Sequence, residues 1–301
     1  MVLNFKEREN LKDYESEKYI EEKLILLNKG KSYGQVLFLA GGSGSGKGFA
    51  INNFLEGSKF RIRDVDEVKK GILQLSKLNK LYPELKNFEL NNPEDVYKLH
   101  QFVKDAGIMD KRLNNLLKDV KSDRLPNILF DMTFKDIRDL HNFLPKLLMV
   151  GYEPKNIHIV WVLTNYELAK KRNEFRGKMP GGRMTAPQIV LNTARGAAVT
   201  MFRIIQHGPP NGINGAIHVV LGNDKNIIYH VNSKGEKLDG ERDPVTGKRI
   251  RPIVVKSFAY IRVKEEGKPH GGYTQFNKEL LKWIMNNAPA SAVKQIKKEM
   301  D

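Results

Sequence analysis

At 301 residues and 40% hydrophobic content the chain is long enough for one large domain or two small ones, and apolar enough to build a core. It contains no cysteine, which excludes disulfides and thiolate metal sites and makes a reducing cytoplasm, a host's if the protein is viral, the expected location. Lys and Arg total 51 against 35 Asp and Glu, a net charge of +16, and residues 131–301 carry 28 of the basic and 16 of the acidic side chains, a balance that attracts phosphate-rich partners.

In chain order, residues 4–28 read as a charged helix with Tyr19, Ile20, Leu24 and Leu27 as its apolar stripe. The charged start carries no signal-peptide pattern, and no run approaches the roughly 18 apolar residues of a membrane span, so no membrane association is expected. Gln35 to Ala40 is an apolar run of strand length, followed by a glycine loop and a helix. A short strand is read at Phe60 to Ile62, and further buried-strand signals are Asn127 to Phe130, Ile157 to Leu163, Ala216 to Leu221 and Ile227 to Val231, with a long helical and polar stretch between Asp66 and Asp123. Strands alternating with helices predict an α/β fold, a parallel sheet covered on both faces. The expected organisation is an N-terminal helix over 1–30, a nucleotide-binding core over 31–235, and a basic extension over 236–301 that includes a helix near Phe276 to Asn287.

Gly41-Gly42-Ser43-Gly44-Ser45-Gly46-Lys47-Gly48 has the P-loop spacing GxxxxGK. Its backbone N–H groups can converge on one anion because glycines accept unusual backbone angles, and the following helix adds its positive end. Lys47 is expected to reach the β and γ phosphates. The position after Lys47 is Gly48, where the full motif has Ser or Thr for Mg²⁺; a water, Ser45 or a carboxylate is left to replace it. The donor is expected to be ATP with Mg²⁺.

Phosphoryl transfer to a hydroxyl also needs a carboxylate for the proton and cations over the migrating group. Asp64 and Asp66 follow a short strand and should emerge beside the loop; Asp66 is the candidate base, and helix capping is the competing role for either. Asp131 ends another strand, where it can orient Mg²⁺ or contact the acceptor, with Thr133 offering a hydroxyl. Arg172, Arg176 and Arg183, the last beside glycines, have the spacing of a lid closing over the triphosphate. The histidines show no metal-ligand spacing. Trp161 and Met149 are expected in the core.

The order LFLAGGSGSGKG, IRDVDEVKK, NILFDMT, an arginine helix, GGRMTAPQIV and GNDKNIIYHV resembles the zeta-toxin-like P-loop kinases over roughly residues 35–235. The resemblance implies Lys47 as phosphate-binding lysine, Asp66 as catalytic base, Asp131 as the acidic residue after the central strand, and Arg172 or Arg176 with Arg183 as lid arginines. Where the family more often has Glu-Gly-Thr, this chain has Asp131-Met132-Thr133. The group includes kinases of UDP-N-acetylglucosamine and phage enzymes acting on 5-hydroxymethyluracil in DNA; the basic second half favours the DNA acceptor, with Tyr260, Tyr273 or Phe276 as stacking aromatics. Three activities stay open: a nucleic-acid kinase, a sugar-nucleotide or metabolite kinase, and a DNA-stimulated ATPase or nucleotide switch.

Overall fold

The structure is a computed structural model that describes residues 33–53, 55, 59–78, 81–118, 124–179, 182–222, 259–271 and 275–301. The helix expected over 4–28, the strand expected over Ile227 to Val231 and the residues around Tyr273 lie outside them, as do the side chains of Tyr260 and Phe276.

Five strands run parallel: β1 (Val36–Ala40), β2 (Arg61–Arg63), β3 (Ile128–Asp131), β4 (Ile157–Thr164) and β5 (Ile217–Gly222). A sixth, β6 (Ala259–Lys264), adds antiparallel to β5, giving the order β2-β3-β1-β4-β5-β6. Every residue of β1 and β4 is buried, which explains why both read as unbroken apolar runs without alternation. The short run at Phe60 to Ile62 forms its strand one residue later, so that Arg63 closes β2 and Asp64 follows at once.

Side chains alternate between two cores. Val36, Phe38 and Ala40 face the larger one, with helices α4 (Ile108–Lys118), α5 (Arg138–His141), α6 (Leu144–Val150) and α8 (Pro187–His207) and the C-terminal pair α9 (Gln275–Asn287) and α10 (Ala290–Met300). Leu37 and Leu39 face the other, against Ala50 and Ile51 of helix α1 (Lys47–Asn53). A third cluster joins α2 (Val65–Lys77) to α3 (Pro93–Asp105) through Ile72, Leu73, Leu99 and Val103. The long helical stretch after Asp66 is therefore broken into α2, a 3-10 turn at Pro83–Leu85, α3 and α4. Asn92 caps α3 by accepting from the Glu94 N–H, and Pro93 sits at its first position, where no intrahelical donor is lost.

Residues 259–301, distinct in composition, supply Ile261, Leu280, Ile284, Ala292 and Ile296 to the larger core. Trp161 is buried as expected. Met149 is not: it is 83% exposed. Leu144 and Leu147 carry the buried face of α6, and a residue two positions past Leu147 lies about 200° around the helix, on the opposite side.

Candidate active site

Neighbouring parallel strands deliver the site. Leu39 of β1 pairs with Asp131 of β3, and the Met132 N–H donates to the Leu39 carbonyl at 3.0 Å. Since β1 lies between β3 and β4 in the sheet while β2 lies beyond β3, the loop leaving β1 opens at the point where the order reverses, the usual crevice for ligands in such sheets.

That loop, 41–46, is gripped from three sides. The Thr164 hydroxyl donates to the Ser45 carbonyl at 2.6 Å, the Ser43 N–H to Thr193 Oγ1 at 3.2 Å, and the Ser43 hydroxyl to Thr185 Oγ1 at 3.3 Å. Gly44 has φ 80°, and a Cβ there would stand 2.2 Å from the Ala169 carbonyl oxygen of α7 (Tyr166–Lys178). A Cβ at Gly42 would meet Ala194 Cα of α8 at 2.9 Å. Both glycines are required by close approach, and Gly44 by its backbone angle as well. The three threonines went unmarked in the sequence reading, although Thr185 lies within the GGRMTAPQIV segment it singled out.

Lys47 begins α1 and folds back over the loop, its Nζ donating to the carbonyls of Gly41 (2.8 Å) and Gly42 (3.3 Å) and standing 3.6 Å from Asp131 Oδ1. Burial, with Asp64 and Asp66 adding negative charge nearby, pushes the Asp131 carboxyl up to about 6 in spite of Lys47. Thr133 follows, half-buried, and Phe134 anchors the chain beyond it: fully buried, against Phe38, in the left-handed region at φ 57°. The tight approach of α8 there needs Gly196, where a Cβ would lie 2.5 Å from the Lys135 carbonyl oxygen.

The two carboxylates after β2 divide their roles. Asp64 caps α2, its side chain accepting from the Asp66 N–H at 2.7 Å, so the capping role belongs to Asp64 alone. Asp66 lies close enough to Lys47 to feel its charge and pairs through Oδ1 with Arg183 Nη1 and, at 3.3 Å, with Lys69 Nζ. Burial would raise the Asp66 carboxyl, but Arg183, Lys69 and Lys47 outweigh it and hold it below the ordinary carboxylate value.

The arginines reach the loop by different routes. A methyl group built at Gly46 would lie 3.4 Å from Arg172 Nη1, which sets Arg172 beside the loop's last glycine. Arg176 holds protein as well: Nε donates to the Arg183 carbonyl at 3.0 Å and Nη2 to Asn173 Oδ1 at 3.1 Å, with Ser43 Oγ at 3.5 Å. Asn173, buried on α7, donates to the Thr185 carbonyl (2.8 Å) and accepts from the Thr185 N–H (3.1 Å), pairing with that residue as a strand would. The Met184 N–H meets the Leu90 carbonyl at 3.0 Å. The segment carrying Arg183 is thus docked on α7 and on the loop before α3.

These residues fit a nucleoside triphosphate. The loop has the glycine cradle, the buried Ser45 Oγ has no hydrogen-bond partner, and Lys47, Arg172, Arg176 and Arg183 surround it. For a divalent cation the fit is partial: no cluster of three or more His, Asp or Glu side chains suited to a metal occurs among the described residues, and Gly48 brings no oxygen.

A β1–loop–α1 unit at the switch point of a parallel sheet, with an acid and arginines facing the loop, defines a P-loop phosphotransferase. The zeta toxin family profile matches residues 22–234, and the chain belongs to that family of ATP-dependent P-loop kinases. No curated protein matches it. Among solved structures, a chain from the PezAT chromosomal toxin–antitoxin system of Streptococcus pneumoniae is similar at 16% identity and TM-score 0.41, covering 95% of this chain and 98% of that one. A chain from the AvrRxo1-ORF1:-ORF2 complex with ATP is similar at 13% identity and TM-score 0.46, covering 79% and 71%. No helix among the described residues is long and apolar enough to cross a membrane.

Proposed function

We propose that this kinase phosphorylates a hydroxyl group, with Asp66 as its proton acceptor, and that the hydroxyl is the 5-hydroxymethyl group of 5-hydroxymethyluracil in DNA. The placement of Asp66 supports the first part. Of the two carboxylates after β2 it is the one not used as a helix cap, and its side chain is 32% exposed, against 16% for Arg183 and 5% for Lys69. In the proposed reaction the acceptor oxygen attacks the γ-phosphorus as the bond to the β–γ bridging oxygen breaks, the hydroxyl proton passes to Asp66, and ADP leaves.

Lys47 and the loop N–H groups bind the phosphates, Arg183 turns to the migrating phosphoryl group, and Arg172 and Arg176 flank the loop. Asp131 orients Lys47 and, with Thr133, lines the acceptor side. A magnesium ion bound with ATP would supply charge neutralisation for the phosphates, with Ser45 or Asp131 as the side chain of this chain that would help to hold it. A lowered carboxyl affinity at Asp66 suits this chemistry, because a loose transition state asks for little proton removal until the new bond is forming.

The DNA acceptor rests on charge. Residues 164–222, which include α7 and α8 beside the loop, hold eight Lys and Arg against two Glu, within a chain of net charge +16. A polyanion rewards cations remote from the reacting atom, whereas a sugar nucleotide offers only two phosphates to them. The second reading, a kinase of UDP-N-acetylglucosamine, is favoured by the toxin description of the family.

The deciding experiment offers 5-hydroxymethyluracil DNA, ordinary DNA and UDP-N-acetylglucosamine side by side with ATP and Mg²⁺, reading phosphate by mass spectrometry, with Asp66→Asn as control. A phosphate confined to the hydroxymethylated DNA and lost in the variant is the expected result. Phosphate on the sugar nucleotide replaces the acceptor with the second reading, and ADP release without any phosphorylated acceptor overturns the kinase assignment to both.

A further inference from the structure

Lys69 takes no part in the scheme above, yet it is the most deeply buried lysine around the site, its side chain only 5% exposed. It lies on α2 one turn after Asp66, facing the same side as Val68, Ile72 and Leu73. Among the described residues its ammonium has one hydrogen-bond acceptor, Asp66 Oδ1 at 3.3 Å. An ammonium withdrawn from water to this extent is costly unless a fixed negative partner compensates it. Burial lowers the affinity of Lys69 for its proton, and the neighbouring Asp66 opposes that loss.

The geometry around Asp66 is asymmetric. Both cations, Lys69 and Arg183, bind the same oxygen, Oδ1, and no hydrogen bond among the described residues reaches Oδ2. The two cations also differ in what they can do. Arg183 is carried by a separate segment, 117 positions along the chain, and has a planar fork able to move between a carboxylate and a phosphoryl group. Lys69 shares a helix with Asp66, its stem is packed, and it has nowhere else to go.

We infer that Lys69 is a positioning residue for phosphoryl transfer: it holds Asp66 by Oδ1, so that Oδ2 faces the acceptor hydroxyl, and maintains that orientation when Arg183 turns toward the phosphoryl group. This rests on the reading of Asp66 as the proton acceptor. The carboxylate then needs one permanent cation and one that can leave, and the two differ in burial and in chain connection as those tasks require.

The test is a double-mutant cycle. Lys69→Met keeps the packed stem and removes the charge; Lys69→Arg restores a cation; each is made alone and in the Asp66→Asn background. Turnover is read as ADP release, with the 5-hydroxymethyluracil oligonucleotide present and with water alone as acceptor, alongside ATP binding and thermal unfolding. Lys69→Met is expected to lower kcat about 10- to 100-fold with KM for ATP within about twofold, Lys69→Arg to recover most of it, and Lys69→Met to have no further effect once Asp66 is Asn. If the Met variant does not fold, Lys69→Gln carries the same expectations. A kcat within about twofold of the parent, an equal loss in the Asp66→Asn background, or an Arg variant as impaired as the Met variant each overturns the role of Lys69. Failure of the underlying reading looks different: Asp66→Asn itself would then keep parental turnover.

Discussion

Asp66 and Arg183 stand 117 positions apart in the chain and share an ion pair at the mouth of the phosphate loop. The pair couples the proposed base to the segment that carries Arg183, so neither side chain is expected to act alone. Asp66→Asn is expected to lower phosphoryl transfer by about 10²- to 10⁴-fold while leaving ATP affinity nearly unchanged. Arg183→Met should also lower kcat, and it removes the strongest of the cations holding the Asp66 carboxyl below its ordinary value. A pH–rate profile checks this: the acid limb of kcat/KM should move to higher pH in Arg183→Met, and a limb that stays in place would separate Asp66 from the titrating group.

Position 48 is glycine where the full P-loop pattern has a hydroxyl for Mg²⁺, and the reason is not steric. A Cβ at this position would have nothing within 4 Å, and the residue is exposed. Gly48→Thr should therefore fold normally and supply the hydroxyl. We expect the Mg²⁺ concentration for half-maximal activity to fall by about 3- to 10-fold, with little change in kcat at saturating metal. A magnesium titration of both proteins measures it, and an unchanged midpoint would mean that position 48 does not face the metal.

The strands and the loop were legible because their signals are local. β1, β3, β4 and β5 are apolar runs that must be buried on both faces, and GxxxxGK constrains its own backbone. Asp66 and Asp131 were legible as strand-end carboxylates. The partnerships were not. Arg183 on Asp66, Thr164, Thr185 and Thr193 on the loop, and Asn173 on Thr185 all join segments whose approach is set by helix packing, to which spacing along the chain is blind. Met149 shows the same limit at short range: it adjoins two leucines in sequence and points away from the buried one because the helix turns 100° per residue. Strand β6 was hidden for another reason, since it is an antiparallel edge of mixed composition, with Lys264 tying its ammonium to the carbonyls of Asn214 and Gly215.

Asn173 is expected to matter for activity without touching substrate. It replaces a strand partner for Thr185 and accepts from Arg176, so Asn173→Leu leaves the Thr185 N–H and carbonyl unpaired in a buried place. Each orphaned group costs about 1–3 kcal/mol, which should appear as a lower urea midpoint. Because Thr185 lies two residues from Arg183, kcat should fall further than stability alone explains at temperatures where the variant is fully folded. Normal turnover in a folded Asn173→Leu protein would show that the Arg183 segment is held in place by Leu90 and the loop contacts without Asn173.

The last expectation concerns acid. His158 is buried; its Nδ1 accepts from the Ala216 N–H at 2.9 Å, so its proton sits on Nε2 and is donated to Gln35 Oε1 at 2.7 Å. Burial, with Lys264 nearby, pulls its pKa down to about 4, and burial next to His158 pulls His218 to about 3. A histidine whose folded value lies below its unfolded value of roughly 6.5 favours folding fully above that pH and loses the contribution as pH falls toward the folded value. For His158 the loss approaches about 3 kcal/mol across that window. Asp131 works in the opposite sense: with its carboxyl raised to about 6, the ionised form is the strained one, and acid relieves it between about 6 and the unfolded value near 4. Burial also pulls His100 down to about 4, so three histidines lose and Asp131 gains, which leaves a net decline in unfolding free energy from pH 6.5 to 4. Urea denaturation at half-unit pH steps should show it, shallower in His158→Gln and steeper in Asp131→Asn, and a steeper slope in the histidine variant would reverse the assignment.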